Sequence, residues 1–199
     1  MTTPAPALSD VCVFCGSGSG RDVRHADTAR RLGATLARRG IGLVYGGGRV
    51  GLMGTLADAV LGAGGTVTGV IPRFLVEAEH AHRGLTHLRV TESMHDRKAI
   101  MASLARGFVA LPGGIGTLEE LTETLTWAQL GLHARPVALL DPTGYYDDLR
   151  RFVDRMVEEG FLPAADRDLL LVSRDPDDLL DRMELALRPS PPGRPLDKI

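Results

Sequence analysis

Leu111-Pro112-Gly113-Gly114-Ile115-Gly116-Thr117-Leu118-Glu119-Glu120 follows the apolar run Phe108-Val109-Ala110-Leu111 and leads into leucines at helical spacing. The order reads strand, glycine loop, helix. Pro112 has no N–H to give a sheet ladder and ends the strand, while Gly113, Gly114 and Gly116 let a ligand approach bare backbone. The freed amides stand at a helix start, where unpaired donors and the positive end of the helix dipole favour an anion. Phosphate is therefore the first ligand this stretch suggests. Leu118, Leu121, Leu125, Ala128 and Leu132 define the expected buried face of the helix. Thr117 is its expected N-cap, and Glu120 three residues on completes a capping box, which leaves both capping and chemistry open for Glu120.

The same alternation continues on either side. Strands are expected at residues 11–15, 41–45, 66–71, 85–91, 137–140 and 169–172, with helices at 23–39, from 51 to about 61, after Ser93, and at 145–158 and 176–187. This is the pattern of one doubly wound, mostly parallel, Rossmann-like α/β domain over residues 10–188, with helices on both faces of the sheet. Residues 1–9 read as a loose leader and the proline-rich residues 189–199 as a tail. Two further glycine loops, one with Gly16 and Ser17 and one with Gly46 and Gly47, also follow strands. In such sheets the ligand crevice lies beyond the carboxyl ends of the strands where their order reverses, so the three loops are expected to meet there.

Composition narrows the partners. A formal net charge of -2 over 199 residues and a pI near 6.3 provide no general attraction for nucleic acid or an anionic membrane, so a small molecule is the expected ligand. Of the 23 basic residues, 21 are arginine, and the two lysines are Lys98 and Lys198. Cys12 and Cys15 are three apart in a strand and so face opposite ways, which makes them core residues rather than a metal or redox pair. His80 and His82 are two ligands without a third, and no metal or cofactor is expected. With no signal-like start and no apolar run near ~18 residues, the expected compartment is the cytoplasm.

Gly46-x-Gly48-x-x-Gly51 matches the dinucleotide fingerprint, but the acid expected about 20 residues on is missing, and the chain reads Val70-Ile71-Pro72 there. No loop has the lysine-bearing form of a nucleotide triphosphatase. A phosphate site with an acid or base remains. Arg97, Met101 and Leu104 share one stripe of the helix after Ser93, which points Arg97 inward near the crevice. A cation there opposes the helix dipole and so asks for an anionic partner.

Residues 112–120, the run Met94-His95-Asp96-Arg97-Lys98 and the stretch from Tyr45 to Gly54 together resemble the LOG family of cytokinin riboside 5′-monophosphate phosphoribohydrolases. The resemblance runs from the first strand to about Tyr146. It implies hydrolysis of the N-glycosidic bond of an adenine-type nucleoside 5′-monophosphate to free base and ribose 5-phosphate, by a homodimer. By motif it makes Arg97 and Glu120 the catalytic pair. It assigns Gly113, Gly114, Ile115, Gly116, Thr117, Leu118 and Glu119 to the nucleotide loop, with Glu79, Lys98 and Thr126 as further substrate contacts. Relatives labelled lysine decarboxylases would need a Schiff-base lysine, for which Lys98 is the one internal candidate. A non-catalytic nucleotide carrier on the same fold, or a nucleosidase of broader base preference, stays open on the residues alone.

Overall fold

The computed structural model describes residues 8–76 and 81–187. Its strands are β1 (Asp10–Phe14), β2 (Gly42–Tyr45), β3 (Val67–Pro72), β4 (His87–Thr91), β5 (Gly107–Ala110), β6 (Val137–Leu140) and β7 (Leu170–Ser173). Its helices are α1 (Val23–Arg38), α2 (Gly51–Gly62), α3 (Met94–Leu104), α4 (Ile115–Gln129), α5 (Asp147–Glu158), the single-turn α6 (Ala164–Arg167) and α7 (Pro176–Ala186). The strands form one sheet in the order β4-β3-β2-β1-β5-β6-β7. All neighbouring pairs are parallel, so the expected mostly parallel sheet is parallel throughout. Parallel pairing requires a crossover between successive strands, and α-helices supply it except between β3 and β4, where the described residues hold a single 3-10 turn.

The crossovers put α1, α2 and α7 on one face, where Leu32, Leu36, Leu56, Val60, Leu179 and Met183 pack on Val11, Val13 and Leu43. On the other face α3 and α4 pack Met101, Ala102 and Leu121 against Phe14, Phe108 and Leu139. Cys12 and Cys15 fall into opposite clusters as free buried thiols, in line with their spacing in the strand. The order reverses between β1 and β5, which places the functional crevice at their carboxyl ends.

Some boundaries differ from the sequence reading. α4 begins at Ile115 with Gly114 as N-cap, so Thr117 lies inside the first turn and is buried, and the expected capping box does not form. Gly114 sits in an extended conformation (φ -92, ψ -157), which lets the helix start earlier than the threonine suggests. β4 begins at His87 because Leu85 packs instead against the first core cluster. The single turn α6, opened by Pro163, and a 3-10 turn at Arg73–Leu75 had no periodic signal long enough to find. The leader, the proline-rich tail and residues 77–80, which include Glu79 and His80, lie outside the described residues. Among the described residues no helix is long and apolar enough to cross a membrane.

His133 joins α4 to β6 through both ring nitrogens. Nε2 meets the Thr124 carbonyl at 3.0 Å, and Nδ1 accepts the Arg135 N–H at 3.1 Å. That arrangement needs the neutral ring. Burial pushes the imidazole down to about 4, and the Arg135 charge acts the same way. The folded state thus resists a proton that the unfolded chain accepts near pH ~6.5. The stability tied to the neutral ring is complete above that pH and falls progressively toward pH 4, by an amount on the order of 3 kcal/mol. Urea titrations at pH 7, 5 and 4 are expected to show this loss in the wild type and a flatter profile in His133→Gln.

Candidate active site

Three glycine loops close the carboxyl ends of β1, β2 and β5, and they touch. The Gly16 N–H donates to the Pro112 carbonyl at 3.1 Å, and the Leu52 N–H to the Gly16 carbonyl at 3.1 Å. Gly51 has φ +63, and a Cβ there would lie 2.2 Å from the Ser17 carbonyl oxygen, so this approach of two backbones requires glycine. At Gly46 an added Cβ would lie 2.0 Å from Arg97 Nη2, the end of a side chain rather than backbone, so the glycine makes room for the guanidinium. The convergence expected from the three loops is present.

At the α4 start no side chain caps the helix. The first amide to bond back is that of Leu118, to the Gly114 carbonyl at 3.1 Å, so those of Ile115, Gly116 and Thr117 precede the ladder. Gly114, Ile115 and Gly116 are exposed. These donors and the helix dipole make an anion seat beside the Gly16 loop.

Facing α4 is α3, whose start is fixed by Ser93: its Oγ accepts the Asp96 N–H at 3.1 Å. One residue later Arg97 turns inward and is 7% exposed, as the Arg97, Met101, Leu104 stripe requires. Its Nη2 donates to the Gly46 carbonyl at 3.4 Å and stands 3.9 Å from Glu120 Oε1. Its buried Nε has no hydrogen-bond partner among the described residues. Glu120, with 12% of its side chain exposed, lies in the second turn of α4 and is therefore released from capping. The pair reaches the end of β1 electrostatically. Burial holds the Cys12 thiol well above its ordinary range, the Glu120 charge adds to this, and Arg97 opposes it.

Lys98, the next residue, is committed elsewhere. Its ammonium, 13% exposed, meets Glu119 at 2.6 Å and Glu123 at 2.8 Å, fastening α3 to α4. Burial pulls the lysine down, but the two carboxylate hydrogen bonds outweigh it and hold it above its usual value. A Schiff-base lysine needs the opposite shift, and this is the one lysine among the described residues, so the site does not fit pyridoxal chemistry. Thr126 is not brought to the pair. Its hydroxyl donates to the Thr122 carbonyl at 2.7 Å on the exposed side of α4, about 9 Å further along the axis than Glu120. His82 is likewise engaged, with Nε2 2.9 Å from Asp58 Oδ1, and no group of three or more metal-ligating side chains occurs among the described residues.

Sequence reasoning missed the turn Asp141-Pro142-Thr143-Gly144-Tyr145-Tyr146. Tyr145 donates to the Gly113 carbonyl at 2.6 Å and Tyr146 to the Leu111 carbonyl at 2.7 Å, so this turn bears directly on the glycine loop. The sequence signal was a Gly-Tyr-Tyr run three residues past the end of a strand.

A parallel sheet with glycine loops gathered at its reversal, an uncapped helix start and a buried arginine–glutamate pair defines a Rossmann-like protein whose crevice offers backbone donors to an anion. Residues 53–183 match the family model described as "Possible lysine decarboxylase". The chain is 49% identical to the cytokinin riboside 5′-monophosphate phosphoribohydrolase of Rhodococcoides fascians, over 85% of this chain and 86% of that one. It is 46% identical to the enzyme of the same name from Arabidopsis thaliana, over 87% and 82%. It therefore belongs to the LOG family of phosphoribohydrolases, although the family model it matches carries the decarboxylase description. Among solved structures, the molybdenum cofactor carrier protein of Chlamydomonas reinhardtii superposes with a TM-score of 0.68, covering 89% of this chain and 97% of that one at 24% identity. At that identity the likeness is one of fold.

Proposed function

We propose that the protein hydrolyses the N-glycosidic bond of an adenine-type nucleoside 5′-monophosphate, of the cytokinin riboside kind, releasing free base and ribose 5-phosphate. The observation that carries this reading is the Arg97–Glu120 pair: two nearly buried charges 3.9 Å apart, beside an uncapped helix start. The phosphate sits on the amides of residues 114–117, which fixes the far end of the ribose and turns remote binding into position at the reacting carbon. As the C1′–N bond breaks, its electron pair leaves with the base, which takes up a proton, and positive charge grows on the sugar. The Glu120 carboxylate stabilises that charge and orients the water whose oxygen bonds C1′, and the proton this water releases balances the one the base takes up. Arg97, held by the Gly46 carbonyl, keeps Glu120 in place. Glu79 and Thr126 are proposed as outer substrate contacts and Lys98 as the brace behind the loop.

The test is chromatographic detection of free base across a panel of nucleoside 5′-monophosphates. Adenine release from AMP, or faster release from an N6-substituted analogue, is expected. Tight binding without any base released would make the protein a carrier instead.

We propose further that the protein acts as a homodimer in the cytoplasm. Two buried free thiols suit a reducing compartment. Leu118, Leu125, Ala128 and Leu132 are only partly covered within one chain, and Leu130 is 61% exposed, which leaves apolar surface on α4 and the turn after it for a second copy. Light scattering is expected to give twice the 21.3 kDa of one chain, and a clean monomer would overturn the dimer.

A further inference from the structure

The geometry points to Tyr145 as a positioning residue that sets the phosphate-binding amides of the glycine loop. The inference rests on reading the crevice as a nucleotide 5′-monophosphate site.

Three successive carbonyls of the loop are held from outside it. The Leu111 carbonyl accepts the Tyr146 hydroxyl at 2.7 Å, and the Gly113 carbonyl accepts the Tyr145 hydroxyl at 2.6 Å. Between them the Pro112 carbonyl accepts the Gly16 N–H at 3.1 Å. In a trans peptide the carbonyl and the following N–H point opposite ways, and there is no cis bond among the described residues. Fixing the Pro112 carbonyl therefore fixes the Gly113 N–H, and fixing the Gly113 carbonyl turns the Gly114 N–H away from the tyrosine. Glycine has the widest backbone freedom of any residue, so without these holds the two peptide planes would rotate. The cost of ordering them would then fall on ligand binding.

The tyrosines are themselves aimed. Asp141, 3% exposed at the end of β6, accepts the Tyr145 N–H at 2.9 Å through Oδ1 and the Tyr146 N–H at 2.9 Å through Oδ2. Gly144, at φ +78, allows the turn between them and the aspartate. The Tyr145 ring is 49% exposed, yet it is held edge-on by His25 at 5.7 Å and Tyr146 at 5.0 Å. Tyr146 is buried, and removing its hydroxyl would leave a buried carbonyl unpaired. Tyr145 is the cleaner probe, because water reaches its site and its loss does not open a cavity.

Tyr145→Phe keeps the ring and removes the one bond to Gly113. Calorimetric titration with ribose 5-phosphate is expected to show affinity weakened about tenfold, the worth of one such hydrogen bond. Adenine affinity and the thermal midpoint are expected to stay at wild-type values. With AMP the same variant is expected to lose about tenfold in kcat/KM, mainly through KM. Unchanged ribose 5-phosphate affinity would overturn the inference, as would equal weakening for ribose 5-phosphate and adenine, the mark of general loosening. Because the titration needs no turnover, a wild type that binds ribose 5-phosphate but releases no base would sink the proposed reaction and still decide the role of Tyr145.

Discussion

Glu120→Gln is expected to reduce base release by about a thousandfold or more while the protein melts as the wild type does. Glutamine keeps the shape of the side chain and removes its negative charge. If Glu120 were only a helix cap, as Thr117-Leu118-Glu119-Glu120 suggests by sequence, glutamine would fill the same place and base release would not change. The structure removes that role, since α4 starts at Ile115 and Glu120 lies in its second turn. A carboxylate 12% exposed and 3.9 Å from a guanidinium is placed to face positive charge, and the proposed reaction develops such charge on the sugar. Binding of ribose 5-phosphate should survive the substitution, because its phosphate seat is backbone. Release of base at the wild-type rate by Glu120→Gln would refute the mechanism.

Gly46→Ala is the second large effect, and it separates activity from stability. The added Cβ would fall 2.0 Å from Arg97 Nη2, 3.2 Å from Arg97 Cζ and 3.2 Å from Met53 Sδ. The first obstacle is the tip of a flexible side chain, so the fold can yield by moving the guanidinium, at a cost of about 1 to 2 kcal/mol. Moving it takes Arg97 off the Gly46 carbonyl and out of line with Glu120. Misplacement of about 1 Å near a reacting centre costs on the order of a hundredfold in rate. The expected result is therefore a kcat roughly a hundredfold lower with a thermal midpoint only a few degrees down. Wild-type turnover in Gly46→Ala would mean that the position of Arg97 is not critical.

Much of the fold was legible because buried parallel strands leave short apolar runs, and the residues that end them carry their own conformational signature. Residues 137–140 were read as β6 with the boundaries the structure has. The helix start at α4 was misread because Thr117 offers a hydroxyl three residues before a glutamate, whereas Gly114 caps through backbone conformation alone and leaves no side-chain signal. Thr117 is instead tucked under the loop, its Oγ1 2.1 Å from where a Cβ on Gly113 would be. In the site, Arg97 and Glu120 were legible through periodicity and motif. Their separation and the hold of Gly46 on Arg97 were not, because residues 51 apart share no local pattern. Tyr145 and Tyr146 escaped for the same reason, as their partners are 32 and 35 residues away. Lys98 had a motif role toward substrate, but the structure ties it to Glu119 and Glu123, a pairing that spans two helices.

That pairing separates two tasks between adjacent residues. Arg97 and Lys98 leave α3 side by side and grip α4 on either side of one turn, the first at Glu120 and the second at Glu119 and Glu123. The ammonium acts as a rivet that sets the spacing of the two helices independently of the groups that react. Substitutions in the crevice walls would then leave the register of Arg97 and Glu120 intact, because the brace that sets it lies outside them.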